Sequence, residues 1–156
     1  MSRVVEHLAD LTGFRDRDVL DVTLVGAFKD LLRPQAVAIY RCVGEAGEQR
    51  WLTRARLAPG DMTATADPLW ADPSTLPTLD SHPDRLACLE RQEAFTVDDV
   101  PAMAYFPLST DREPVGVLEL QTAKALSYEE VRLVCSVLRI YRNFQALLDY
   151  SERDTL

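Results

Sequence analysis

A chain of 156 residues is the length of one domain, and a hydrophobic share of 47% is that of a folded globular protein, not a disordered one. A formal net charge of -8 excludes the basic field that nucleic acid or an anionic membrane surface would require. No apolar run is long enough to span a bilayer, Met1-Ser2-Arg3-Val4-Val5-Glu6 carries no signal-peptide core, and the expected location is cytoplasmic.

Val4, Val5, Leu8 and Leu11 share one helical stripe and Gly13 follows as a stop, which predicts a short N-terminal helix. Arg15-Asp16-Arg17-Asp18 then supplies a cap and acidic first-turn charge for a second helix. Leu20, Leu24, Phe28 and Leu31 recur along it at helical spacing, with Val25 and Leu32 beside them, and Pro34 ends it. Gln35 to Val43 is rich in β-formers and reads as a strand. Arg50 to Leu57 reads as its partner, with Trp51, Thr53, Ala55 and Leu57 on one face and Arg54 and Arg56 on the other. Glu45-Ala46-Gly47-Glu48 is the turn between them.

From Ala58 to Ser81 the prolines Pro59, Pro68, Pro73 and Pro77 break any regular element. Trp70 lies in the middle of that stretch, and the expectation is a lid folded onto the body with its indole sequestered. Ser81 and Asp84 resemble a capping box around Pro83, opening a short helix to about Gln92. Phe95-Thr96-Val97 is a brief strand. Ala102 to Leu108 is a strand that Pro107 restricts to an edge or an end. Asp111-Arg112-Glu113 is the hairpin turn. Val115 to Gln121 is apolar on both faces except at Glu119, the pattern of a central strand.

Ser127 and Glu130 form a capping box for a final helix reaching about Glu152, roughly 38 Å long at 1.5 Å per residue. Its apolar residues fall on two stripes, Val131, Val134, Leu138, Tyr141 and Leu148, and Leu133, Val137, Ile140, Phe144 and Leu147. One sheet face covers one stripe. The second, with Ile140, Phe144 and Leu147 near coiled-coil spacing, together with Val4, Leu8 and Leu11, predicts a two-fold homodimer. The alternative is that the N-terminal helix covers the second stripe within one chain.

Candidate chemistry is sparse. Cys42, Cys88 and Cys135 are too far apart for a zinc motif or a Cys-x-x-Cys redox pair, and read as buried free thiols in a reducing compartment. With His7 and His82 the only histidines, neither a metal site nor a cofactor is expected. No catalytic motif is present, so the chain is expected not to be an enzyme. Glu119 is an ionisable group in an apolar strand and needs a partner. Either it projects into a pocket and pairs with a basic ligand, or it pairs with Arg41 or Arg54 on a neighbouring strand. Trp70, His82, Arg85 and Tyr105 could supply an aromatic wall and polar anchors to that pocket. Their alternatives are core packing for the two aromatics, helix capping for His82 and plain solvation for Arg85.

Phe106-Pro107-Leu108, a polar turn, Val115-Gly116-Val117-Leu118-Glu119-Leu120 and the helix opening Ser127-Tyr128-Glu129-Glu130 resemble the end of a GAF domain. The order of elements from about Val19 to Phe144 fits the same family. The resemblance implies an α/β (α+β) fold, with terminal helices on one face of an antiparallel sheet and a lid of loops and a short helix on the other. It divides the chain into an N-terminal helix at 1–14, a sensory domain at 15–146 and a signalling extension at 147–156. The closing Asp154-Thr155-Leu156 looks like the junction where GGDEF-type diguanylate cyclase domains begin, which implies an output domain in a longer chain. The Asn-Lys-x-Phe-x-x-x-Asp-Glu pattern of cyclic-nucleotide-binding members is missing, since Asn143 is the only asparagine. The Cys-His pair of bilin-binding members is missing too, since Leu89 follows Cys88. The implied function is regulatory: binding of an unknown small molecule, dimerisation, or both, to control a downstream domain. The alternatives are a dimerisation module with a vestigial pocket and, less favoured, a thiol-based reductase or redox sensor.

Overall fold

The computed structural model describes residues 17–61, 63–68, 70–109 and 114–154. The expected N-terminal helix, the Asp16 cap and the Asp111 hairpin turn lie outside the described residues. The first described helix, α1 (Arg17–Leu32), buries Leu20, Leu24, Val25 and Phe28, as the helical stripe predicts. It ends where Arg33 takes a left-handed conformation (φ 48°) ahead of Pro34. Strands β1 (Ala36–Val43) and β2 (Arg50–Leu57) follow. After two 3-10 turns, Pro73–Thr75 and Leu79–Ser81, comes α2 (Pro83–Arg91). The chain continues through β3 (Phe95–Val97), β4 (Ala102–Ser109), β5 (Pro114–Thr122) and α3 (Tyr128–Asp154).

The five strands form one antiparallel sheet in the order β2-β1-β5-β4-β3. β5 is central, as its two apolar faces require. β3 pairs with β4 only as far as Tyr105, so Pro107 sits where β4 is an edge and its missing N–H costs no ladder bond. Gly116 has a specific duty, because a Cβ there would lie 2.1 Å from the Tyr40 carbonyl oxygen of β1. Helices α1 and α3 cover one sheet face over a core that includes Phe28, Ile39, Phe106, Leu118, Val134 and Val137. α2 covers the other face over Tyr40, Trp51, Cys88, Tyr105 and Val117.

β2 departs from simple alternation. Ile39 faces Ala55 while Tyr40 faces Thr53, so Arg54 is an extra residue in the ladder. The bulge flips the pattern. Ala55 and Leu57 join the helix-side core, whereas Trp51 joins the opposite one. Arg54 turns towards α1 instead of away from it.

The proline-broken segment does fold onto the body, but by backbone pairing along the outer edge of β2. Thr65 bridges Arg56, the Asp67 N–H donates to the Thr53 carbonyl at 2.8 Å, and the Trp51 N–H donates to the Pro77 carbonyl at 2.9 Å. An otherwise open sheet edge is thereby protected. Trp70 is not sequestered: it is 86% exposed at the surface of this segment. Leu76 supplies the buried anchor, and backbone bonds make an indole anchor unnecessary. The proposed Ser81 capping box is absent, because the Ser81 hydroxyl closes its own 3-10 turn by donating to the Thr78 carbonyl at 2.6 Å. His82 takes the N-cap position of α2 without a side-chain cap bond, and Pro83 starts the helix. The Ser127/Glu130 box is present in both directions, at 2.9 and 3.1 Å.

α3 presents one packing face to the sheet, formed by Val134, Val137, Tyr141 and Gln145. Ile140 and Phe144 flank that face and are partly buried against the core, while Leu147 is 58% exposed. Val4, Leu8 and Leu11 lie outside the described residues.

Candidate functional site

The candidate site lies between α2 and the sheet, and its centre is Arg85. The helical turn after Pro83 points this side chain inward, where it is 5% exposed and not solvated. Its guanidinium lies over the Tyr40 ring, 3.5 Å from the centroid, and 5.4 Å from the Trp51 ring centre. Such contacts contribute about 2 kcal/mol or more when water is excluded. One terminal nitrogen donates to both Glu119 oxygens, at 3.2 and 3.4 Å. Its Nε is buried without a hydrogen-bond partner, which costs about 1–3 kcal/mol.

Two expected site residues, Arg85 and Glu119, therefore meet each other. Glu119 does face the pocket side, but its partner is neither Arg41 nor Arg54, because both of those turn to the opposite face. Tyr105 lies opposite Glu119 in the ladder and Ala38 flanks it on the other side, its small side chain leaving room for the carboxylate. The Tyr105 ring tilts against Phe95 at 5.2 Å. His82 sits half-buried at the start of α2. Burial, with the Arg85 charge second, holds its pKa below the ordinary histidine value. Trp70 does not reach this cluster. Trp51 takes the aromatic role expected of it, with its indole N–H donating to the Leu79 carbonyl at 3.2 Å. The sequence signal for Trp51 was present in β2, but the unseen bulge concealed its side of the sheet.

Burial also raises the acidic side chains around the box. Tyr40 titrates above its ordinary value through burial and then the Glu119 charge. Tyr105 is pushed up to about 12 by the same two causes in the same order, and the Cys88 thiol to about 12 by burial. A thiol held protonated is a weak nucleophile. Of the three thiols expected to be buried only Cys88 is: Cys42 is half-buried on the same face, and Cys135 is exposed because it lies on the side of α3 turned away from the sheet. Among the described residues no group of three or more His, Cys, Asp or Glu side chains could hold a metal ion, and no helix is long and apolar enough to cross a membrane.

A groove of about 640 Å³ borders the box at Leu79 and Leu86. Its rim carries Glu48, Asp80 and Glu90 against a single cation, Arg50, whose guanidinium donates to the Leu76 carbonyl at 2.9 Å.

A second polar cluster, not anticipated from the sequence, lies on the helix face. Asp21 of α1 is fully buried and accepts from Arg54 Nε at 3.3 Å and from the Tyr141 hydroxyl of α3. Arg41 approaches it at 3.5 Å, and Gln145 donates to the Tyr141 hydroxyl at 2.7 Å. Burial and then the Asp21 charge hold the Tyr141 pKa well above its ordinary value. The cluster ties α1, α3 and strands β1 and β2 together. Its signal was available: Asp21 continues the Val25, Phe28 and Leu32 stripe one turn earlier, so a carboxylate stood on a buried helical face.

No family model matches the sequence, and no curated protein does. Solved structures do match by fold. A methyl-accepting chemotaxis protein fragment, residues 122 to 287, superposes with a TM-score of 0.71 at 14% identity, over 94% of this chain and 97% of that one. The free methionine-R-sulfoxide reductase from Neisseria meningitidis, in complex with its substrate, gives 0.67 at 14% identity over 96% and 88%. The GAF domain/HD domain protein from Geobacter sulfurreducens gives 0.65 at 12% identity over 90% and 98%. At such identities the likeness concerns architecture alone: this chain has the α+β GAF fold.

Proposed function

We propose that the chain is a regulatory sensory domain that binds a small molecule in the box between α2 and the sheet. The observation that carries this is the buried Arg85, ion-paired to Glu119 and stacked on Tyr40, with one donor unsatisfied. Buried charge placed among aromatic faces is costly as plain packing and suited to recognition. The test is thermal shift against a metabolite library. A ligand at 100 times its dissociation constant adds about 2.7 kcal/mol of stability, and Trp51→Ala should abolish that response. If no compound stabilises the protein, the sensory reading is wrong.

A second reading has an observation of its own. Tyr40, Trp51, Arg85 and Tyr105 fill the box themselves, as a module that only dimerises would require. On either reading the exposed Leu147, with Ile140, Phe144, Val4, Leu8 and Leu11, is the proposed homodimer seam along the helices. The proposal extends to a downstream output domain reached through α3, of diguanylate cyclase type by the resemblance of Asp154-Thr155-Leu156. The protonated state of Cys88 speaks against a thiol reductase.

A further inference from the structure

We infer that the box is a receptor for an organic cation, a guanidinium or alkylammonium group, and that Arg85 occupies it as an internal stand-in. This rests on the sensory reading above and names its ligand class. The walls and the occupant come from different parts of the fold. Tyr40, Trp51, Tyr105 and Glu119 stand on β1, β2, β4 and β5, fixed by the sheet ladder. Arg85 alone comes from the covering helix α2. Without it, the box presents three aromatic faces and the Glu119 carboxylate, with Asp84 close enough to act on Tyr105 and one remaining cation, Arg56, at the exposed edge beside Tyr40.

Two further observations agree. The groove that borders the box carries Glu48, Asp80 and Glu90 against Arg50, which is itself bonded to the Leu76 carbonyl, so an arriving anion would meet a net like charge there and again at Glu119. The resident is also an imperfect fit, since only one of its nitrogens reaches Glu119 and Nε has no acceptor. A free ligand not tethered to a helix could align both edges of its guanidinium, or place an ammonium centrally, and displace Arg85 outward. That displacement moves α2 relative to the sheet and constitutes the switch.

The experiment uses the full chain carrying Trp70→Phe, so that Trp51 is the single tryptophan and reports on the box by fluorescence. Methylguanidinium, agmatine and choline are titrated alongside acetate, succinate and inorganic phosphate, with melting temperature as second readout. The same titrations are run on Arg85→Ala, and on Arg85→Gln should the alanine variant fail to fold. The expected result is saturable cation binding with a change in Trp51 emission, at least tenfold tighter in the Arg85 variant than in the parent. Adding Glu119→Gln should weaken it tenfold or more. Equal affinity in parent and variant overturns Arg85 as stand-in. Response to an anion with none to any cation overturns the ligand class while the sensory reading stands. Silence to every probe and to the metabolite library overturns both. The parent titration decides the matter if neither variant folds, because absence of saturable cation binding there refutes the inference.

Discussion

Asp21→Ala tests the helix-face cluster. The carboxylate is fully buried, accepts from Arg54 at 3.3 Å and from the Tyr141 hydroxyl, and has Arg41 at 3.5 Å. Removing one member of a buried ion pair costs about 3–5 kcal/mol, because the remaining charges are desolvated without it. The Tyr141 hydroxyl, buried beside it, also loses an acceptor, worth about 1–3 kcal/mol and not simply additive. A loss of about 4 kcal/mol follows, or about 8–16 °C in melting temperature for a domain of this size. Urea unfolding followed by far-ultraviolet circular dichroism measures it, and an unchanged denaturant slope would confirm that stability alone has moved. A double-mutant cycle with Tyr141→Phe should return a coupling of about 1 kcal/mol or more. A loss below about 1 kcal/mol for Asp21→Ala would show that the cluster is solvated and does not tie the helices to the sheet.

Further outcomes are expected. Gly116→Ala should cost several kcal/mol or prevent folding, since its Cβ would lie 2.1 Å from the Tyr40 carbonyl oxygen; near-wild-type unfolding would contradict the close approach of β1 and β5. Trp51→Ala should cost about 3–5 kcal/mol, whereas Trp70→Ala, at an exposed site, should stay within about 0.5 kcal/mol. Stability should fall as pH rises above about 9, because Cys88, Tyr40, Tyr105 and Tyr141 all titrate higher in the folded state. Their stabilisation is complete below the unfolded values and is lost upward through the folded ones, each at about 1.4 kcal/mol per pH unit; a flat profile to pH 11 in chemical denaturation would refute it. The sign reverses at His82, whose lowered pKa withdraws stability as pH falls below its ordinary value of 6.5. Leu147→Asp should convert the proposed homodimer to a monomer in light scattering, and a monomeric unmutated chain would count against the seam.

What the sequence by itself determined is what a few neighbouring residues determine. Pro34 and Pro107, the run of β-formers in β1, the two apolar faces of β5 and the Ser127/Glu130 box each act over a handful of positions, and they set the elements and their order. The Ser81 box failed because a hydroxyl has several local carbonyls in reach, and the 3-10 turn won it. Burial of Trp70 was inferred from its apolar area alone, but its segment is held instead by backbone bonds to β2 and by Leu76. The site was decided by tertiary structure. One extra residue at Arg54 exchanged the faces of β2, turning Arg54 to Asp21 and Trp51 to Arg85. Arg85 and Glu119 are 34 residues apart, and Asp21 and Tyr141 are 120 apart. A buried charge must find its opposite, but among 17 basic and 25 acidic side chains the sequence carries no distance by which to match them. Only the register of the sheet and the seating of the helices brings particular partners within a few ångströms, where pairing outweighs the cost of leaving water.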